Sequence, residues 1–352
     1  MAIDETKLEQ FIGQFVTDFG AAMHAATVVI GDKLGLYKAL AESGPVTGAE
    51  LAARTGYDTR LVEEWLNAQF VSGYAAYDPA TATFRLDDEQ AAVLADDSTP
   101  AFLAGAMTIA ASIYKDEERI REAFTTGKGL GWHEHCHDLF HGTERLFKPG
   151  YLGNLVSAWI PALDGVDERL RAGTTVADIG CGHGSSTILL AQHYPNCEIV
   201  GFDYHDGSID TARKRAAEAG VTDRVRFEVA SAQDFPGTGY GLVCIFDALH
   251  DMGDPVGAAE HINHALADDG TWLLVEPMAA DRLEDNVNPV SRIFYAGAVG
   301  ICTPAAQNQP GGYALGNQVS DQRWRALLAD AGFGRVRRAT ETPFNRVFEV
   351  RK

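Results

Sequence analysis

The run Val176-Ala-Asp178-Ile-Gly180-Cys-Gly182-His-Gly184-Ser limits what this chain can fold into more than any other stretch. Its first residues read as a strand that passes straight into three alternating glycines, and Ser185–Tyr194 then reads as a helix. Glycine lets the backbone turn tightly and approach a ligand with no Cβ in the way. The helix start offers free N–H groups to an anionic ligand group such as a carboxylate. The spacing is GxGxG, not the GxGxxG of a dinucleotide turn. A second acid, Asp203, ends the next strand 21 residues beyond Gly182 (203 − 182). An acid at that place can accept from both hydroxyls of a ribose.

From Val176 onward strands alternate with helices, which predicts an α/β sheet. The expected strands are Val176–Ile179, Glu198–Phe202, Val225–Val229, Leu242–Phe246 and Thr271–Val275. Helices are expected at Ser185–Tyr194, Ser208–Ala219 and Pro255–Leu266, the last capped by Asp254 with proline in its first turn. A helix from Asp321 to Ala331 stops at Gly332. Two strands, Arg335–Ala339 and Asn345–Val350, follow with so short a connector that they must pair antiparallel.

The glycine run resembles motif I of class I S-adenosylmethionine-dependent methyltransferases, D/E-x-G-x-G-x-G, and the terminal hairpin is similar to that family's sheet ending. The resemblance implies a Rossmann-like, seven-stranded methyltransferase sheet with an antiparallel C-terminal hairpin. It also implies S-adenosyl-L-methionine as methyl donor, leaving S-adenosyl-L-homocysteine. Gly180 and Gly182 would lie along the donor's methionine and ribose portions. Asp178 would order the loop and meet its amino group, Asp203 would hold the ribose, and Tyr204 would lie beside the adenine. Ser231-Ala232-Gln233-Asp234-Phe235-Pro236 is similar to the family's D-A-x-D-L-P segment, with Ser231 in place of the acid that meets the adenine amino group. Asp247 completes the expected donor-site residues.

The segment Asp247-Ala-Leu-His250-Asp251-Met252-Gly-Asp254 resembles the L-H-D-W-S-D segment of plant-type small-molecule O-methyltransferases and their bacterial relatives, with Met252 where tryptophan is usual. The resemblance makes His250 the general base for a hydroxyl acceptor. A phenol of pKa near 10 gains from such a base. Glu276 and Asp251 are candidates to orient it. That family carries an N-terminal winged helix used for dimerisation, and the same order is legible here. The first 25 residues and Val28–Leu40 read as helices. Thr47-x-x-Glu50 forms a capping box, Asp58 caps a third helix, and strand pieces near Tyr74–Tyr77 and Thr83–Leu86 flank the turn Asp78-Pro79-Ala80. The expected organisation is a mainly α winged-helix and dimerisation domain over 1–90, a helical, substrate-lining region over 91–170 and the donor-binding domain over 171–352.

His133-Glu134-His135-Cys136-His137 satisfies H-E-x-x-H, which needs both histidines on one helical face to hold zinc. The extended pattern would want Gly and His where Phe140 and Thr143 stand, so no metal site is expected there. On a continuous helix His133, His137 and His141 would share a face and line an acceptor pocket; Tyr295, between the fifth strand and the last helix, is a further acceptor candidate.

The net charge of −20 repels phosphate and anionic lipid, which argues against nucleic acid and membrane partners. The longest apolar stretch, Ala101–Tyr114, falls short of the roughly 20 residues a membrane span needs. Five cysteines without CxxC spacing, behind a polar, acidic N-terminus, point to reduced thiols in the cytoplasm. Two other readings stay open. One is a transcription regulator using the winged helix on DNA, although Arg60 stands among Asp58, Glu63 and Glu64 on the recognition-helix candidate. The other is a catalytically inactive protein that binds the donor.

Overall fold

The computed structural model describes residues 3–352, which divide into two compact units. The first comprises residues up to Tyr114 together with Cys136–Pro149; the second comprises Lys115–His135 and Gly150–Lys352.

In the first unit, α1 (Glu5–Lys33) is one continuous helix where two were expected. Its alanine-rich middle contains no breaker, and the chain turns only at Gly35, whose φ of 68° is the left-handed conformation that ends helices. α2 (Leu36–Ser43), α3 (Gly48–Thr55) and α4 (Thr59–Val71) follow. The capping box forms as expected, with Thr47 N–H donating to Glu50 Oε2 (2.8 Å) and Glu50 N–H to Thr47 Oγ1 (3.3 Å). β1 (Ala76–Asp78) and β2 (Thr83–Arg85) pair antiparallel as the wing. α5 (Asp88–Leu94) and α6 (Ala104–Lys115) complete the run. Leu36, Leu40, Leu51, Leu66 and Phe84 form the core. Gln69, fully buried, binds Tyr37 and Thr27 and so ties the end of α1 to α4.

In the second unit, α7 (Glu117–Thr126) precedes the sheet. α8 (His137–Asn154) runs across the unit boundary, and α9 (Val166–Ala172) leads into β3 (Thr175–Ile179). There follow α10 (Ser185–His193), β4 (Glu198–Asp203), α11 (Asp206–Glu218), β5 (Val225–Val229), β6 (Tyr240–Phe246), α12 (Pro255–Ala265) and β7 (Leu266–Pro277). The chain continues through α13 (Pro289–Gly297), α14 (Thr303–Gln307), α15 (Asp321–Asp330), β8 (Arg335–Glu341) and β9 (Asn345–Arg351). The seven strands lie in the order β5-β4-β3-β6-β7-β9-β8, parallel except at β9, which pairs antiparallel with both neighbours.

Both sheet faces are covered, so β6 is buried along its whole length and reads as a continuous apolar run. Val176, Ile199, Leu242 and Leu273 face one layer with Leu190 and Ala212; Ile179, Val243, Leu274 and Phe348 face the other with Ile262 and Trp324. The chain winds outward from β3 through β4 to β5, then returns to β6 on the other side. The crevice at the carboxyl ends of β3 and β6 is therefore the topological switch point, where open α/β sheets bind ligands. Among the described residues, no helix is long and apolar enough to cross a membrane.

Candidate functional site

The glycine run leaves β3 at this switch point. Gly180, Gly182 and Gly184 all have positive φ, at 71°, 52° and 80°. A Cβ on Gly184 would lie 2.6 Å from the Phe227 ring, so the third glycine serves packing. A Cβ on Gly182 would meet nothing within 4 Å, which leaves its backbone open to a ligand. The loop is pinned from β4: Gly180 and Cys181 N–H donate to Phe202 O, and Gly182 N–H donates to Asp203 Oδ2 (2.9 Å). Asp203 Oδ1 accepts from His205 N–H at 2.9 Å. Burial raises the Asp203 carboxyl despite these two donors.

Asp178 is fully buried. Its Oδ2 accepts from Ser186 Oγ (2.7 Å) and Thr187 Oγ1 (2.6 Å), which lock the start of α10 to the end of β3. Its Oδ1 is buried without a hydrogen-bond partner and retains acceptor capacity for a cation. Burial pushes this carboxyl up to about 6, against the two hydroxyl bonds and with help from the Asp203 charge. The open approach at Gly182 and the unused Asp178 oxygen both fit a ligand with an amino group and a nucleoside.

Around them, Tyr204 is 44% exposed, and the His133 ring meets it edge-on with centroids 6.3 Å apart. Ser231 turns its hydroxyl to Asp234 (2.7 Å), and Ala232 is buried beside it in the same turn. Asp247, at φ 49°, follows β6; both its carboxylate oxygens accept from Asn345 Nδ2, at 2.8 and 3.0 Å. Burial, then the Glu276 charge, push the Asp247 carboxyl well above its ordinary range.

His250 sits on a 3-10 turn (Leu249–Asp251) just beyond Asp247, and is buried. Its Nδ1 lies 2.6 Å from Glu276 Oε2, at the end of β7, and Glu276 Oε1 also accepts from Leu249 N–H. Its Nε2 lies 3.1 Å from Asp251 Oδ1. Burial works against a charged ring, but Asp251 and Glu276 outweigh it and hold the imidazole well above its ordinary value. Both carboxylates expected to orient the ring are thus in contact with it.

The histidine run departs from a helix. Gly131 N–H donates to Glu134 Oε2 (2.6 Å), closing a 3-10 turn over Trp132–Glu134. His135 is then extended, with its ring held by Asp116 (2.9 Å), and α8 begins only at His137. His133 and His137 therefore share no helical face and fall in different units, so the H-E-x-x-H pattern has no zinc geometry. His137 packs edge-on to Phe140. Tyr295 lies on α13, 37% exposed. Asn317 donates to Phe294 O (2.9 Å) on that helix and to Cys302 Sγ (3.4 Å).

Four contributors escape a reading of the sequence. Ser186 and Thr187 had a local signal, as hydroxyls one helical turn past the glycines. Asn345 had none, because it reaches the site from 98 residues away (345 − 247), and Cys302 had only its place between the fifth strand and the last helix, 52 residues from His250 (302 − 250).

Residues 170–332 match the family model "Methyltransferase domain", and residues 22–96 match "Rv2258c-like winged HTH domain". Among curated proteins, the chain is 36% identical over 87 residues to 27-O-demethylrifamycin SV methyltransferase of Amycolatopsis mediterranei, covering 24% of this chain and 32% of that protein. It is 30% identical over 183 residues to O-demethylpuromycin-O-methyltransferase of Streptomyces alboniger, covering 49% and 43%. The chain thus spans about a third of the first relative and under half of the second. Among solved structures, an O-methyltransferase family protein from Burkholderia thailandensis superposes with TM-score 0.69 at 18% identity, over 100% of this chain and 99% of that one. Human N-acetylserotonin methyltransferase, solved in complex with S-adenosylmethionine, gives 0.69 at 17%, over 100% and 99%. At these identities the superpositions speak for the fold.

Proposed function

From a chain that carries a methyltransferase domain preceded by a winged-helix domain, we propose the transfer of a methyl group from S-adenosylmethionine to a hydroxyl of a small molecule, with His250 as general base. One observation carries this reading: the glycine loop and the His250 turn leave β3 and β6 at the same switch point. When bound, the donor supplies a methyl group already activated by its sulfonium. Catalysis by the chain is then chiefly positioning and proton removal. Asp178, Gly180, Gly182, Asp203, Tyr204, Ser231, Ala232 and Asp247 are the residues that would hold the donor. Glu276 fixes His250 through Nδ1, which leaves Nε2 to take the acceptor's proton. Tyr295 belongs to the acceptor side, supported by the tie from its helix through Asn317 to Cys302 beside the base. His133 belongs nearer the nucleoside, supported by its contact with Tyr204. For His137 the geometry adds no support. Calorimetric titration with S-adenosylhomocysteine, with NAD as control, tests the donor; a mass-shift screen of phenolic and other hydroxyl compounds then tests the acceptor. Binding of NAD in place of S-adenosylhomocysteine would overturn the reading.

The Asp178 carboxyl gives a pH test. Its folded value of about 6 lies above the ordinary 3.8, so the free protein keeps the proton up to about pH 6. A cationic amino group beside it favours the carboxylate, and binding below that pH must expel the proton. S-adenosylhomocysteine affinity is therefore expected to be about tenfold weaker at pH 5 than at pH 7.5 and flat above pH 7. Asp178→Asn should flatten the profile. A native profile already flat between pH 5 and 7 would remove Asp178 from contact with the amino group.

The same proposal includes a homodimer through α1. Phe11, Phe15, Val16, Phe19 and Met23 are each 58–64% exposed and recur at helical spacing. Burying one such side chain contributes roughly 1.5–3 kcal/mol, against roughly 4–15 kcal/mol for association, so a second copy must cover most of the stripe. Phe15→Asp combined with Phe19→Asp should halve the mass seen by light scattering. An unchanged mass would place the interface elsewhere. DNA is a poorer partner, since the Arg60 guanidinium of α4 is already paired with Glu63 and Glu64 on its own helix. A cytoplasmic location is part of the proposal, supported by five cysteines scattered without CxxC spacing.

A further inference from the structure

We propose that His250, Asp251 and Cys302 form a binding site for a zinc ion, and that its occupation withholds His250 Nε2 from the acceptor. Their ligand atoms lie within 4.8 Å of one another, and no other three such side chains among the described residues come this close. A tetrahedral zinc with bonds of about 2.0–2.3 Å needs its donors about 3.3–3.8 Å apart. From separations of at most 4.8 Å, closure by about 1 Å brings the three donors into that range.

The surroundings are those of a built site. Asp251 Oδ1 is buried and lies 3.1 Å from His250 Nε2, an ion-pair distance. A cation between the two would satisfy both. Glu276 accepts from Nδ1–H, which fixes the tautomer and directs the Nε2 lone pair outward. Asn317 Nδ2 lies 3.4 Å from Cys302 Sγ, a donor placed where a metal-bound thiolate needs one. Cys302 ends a π-helical turn, Ala298–Cys302, just before α14, an irregularity of the kind found at functional sites. One nitrogen, one oxygen and one sulfur form a borderline-soft set that selects zinc over magnesium or calcium. On binding, the Cys302 thiol releases its proton to solvent while Nδ1 keeps its own. The three ligands leave a fourth position for water.

Cobalt is the optical probe. Added to the metal-free full-length protein, one equivalent of Co²⁺ should produce near-ultraviolet thiolate-to-cobalt absorption, and zinc should displace it. Cys302→Ser should abolish the band, and Asp251→Asn should weaken zinc binding at least tenfold, with circular dichroism showing each variant folded. No band in the native protein, or a band that survives Cys302→Ser, overturns the site. Should Cys302→Ser fail to fold, unchanged zinc affinity in Asp251→Asn overturns it instead. Inhibition of turnover by zinc rests on the base role proposed above, whereas the cobalt band does not. A band without S-adenosylhomocysteine binding would sink the methyltransferase reading and leave the metal site standing.

Discussion

Asp203→Ala is expected to weaken S-adenosylhomocysteine binding by about 30- to 700-fold, from the loss of about 2–4 kcal/mol of hydrogen bonding between one carboxylate and two ribose hydroxyls. The figure lies below the sum of two charge-assisted bonds because the free protein already bears a cost for this carboxylate. Burial raises it, and alanine removes that cost. The substitution also takes the acceptor from Gly182 N–H and His205 N–H, so part of the loss comes from a looser glycine loop. Asp203→Asn separates the two effects. One amide oxygen can still take Gly182 N–H, so the loop stays pinned while the paired contact to the ribose is lost. Calorimetry on both variants, with thermal melts to show that they fold, gives the comparison. Near-native affinity in the alanine variant would end the assignment of Asp203 to the ribose.

His250→Ala is expected to lower kcat by about 10²- to 10⁴-fold on a hydroxyl acceptor, the usual worth of a general base. S-adenosylhomocysteine affinity should stay within about threefold of native, because none of the residues assigned to the donor is His250 itself and Asn345 still holds Asp247 in place. Removing the ring leaves Glu276 buried with only Leu249 N–H as donor, at a stability cost of about 1–3 kcal/mol. His250→Asn, which retains a donor toward Glu276, serves as the folded control. In the native protein the two carboxylates hold the ring's proton more tightly than usual. Turnover should therefore rise with pH beyond the ordinary histidine range before it levels. Equal turnover of native and alanine variants at every pH would mean that proton removal is not His250's task.

The second unit was largely legible in the sequence because its central strands β3, β4, β6 and β7 are buried on both faces, and buried parallel strands announce themselves as apolar runs ended by glycine or acid. β5 was read with its observed ends, and β6 began two residues earlier than expected, at Tyr240. The glycine loop was legible for a similar reason: its chemistry is local, and spacing alone separates GxGxG from a dinucleotide turn. The histidine run was misread as helix because helical spacing is blind to a competing contact. Glu134 binds back to Gly131, and Asp116 takes the His135 ring. Neither partner announces itself in the run. α1 was split in two near Ala26-Thr27, although the helix runs through that stretch and the chain turns only at Gly35, beyond its end. Cys302 and Asn345 became site residues only through the sheet order and the turn before α14.

That sheet order has a consequence for how the protein is made. β9 lies inside the sheet, between β7 and β8, yet it is the last strand in the chain. The ribosome completes β7 at Pro277 and must add 74 more residues (351 − 277) before β9 is whole. At the usual rate that takes about 4–15 s. If β7 joins the sheet within that interval, its far edge is an unpaired, apolar strand edge open to any other strand nearby until β9 arrives. The same late strand delivers Asn345 to Asp247, so a nascent chain stalled in this interval would have the glycine loop without the finished turn beside His250. The contact from Asn345 to Asp247 and the pairing of the β7 edge are made by one strand.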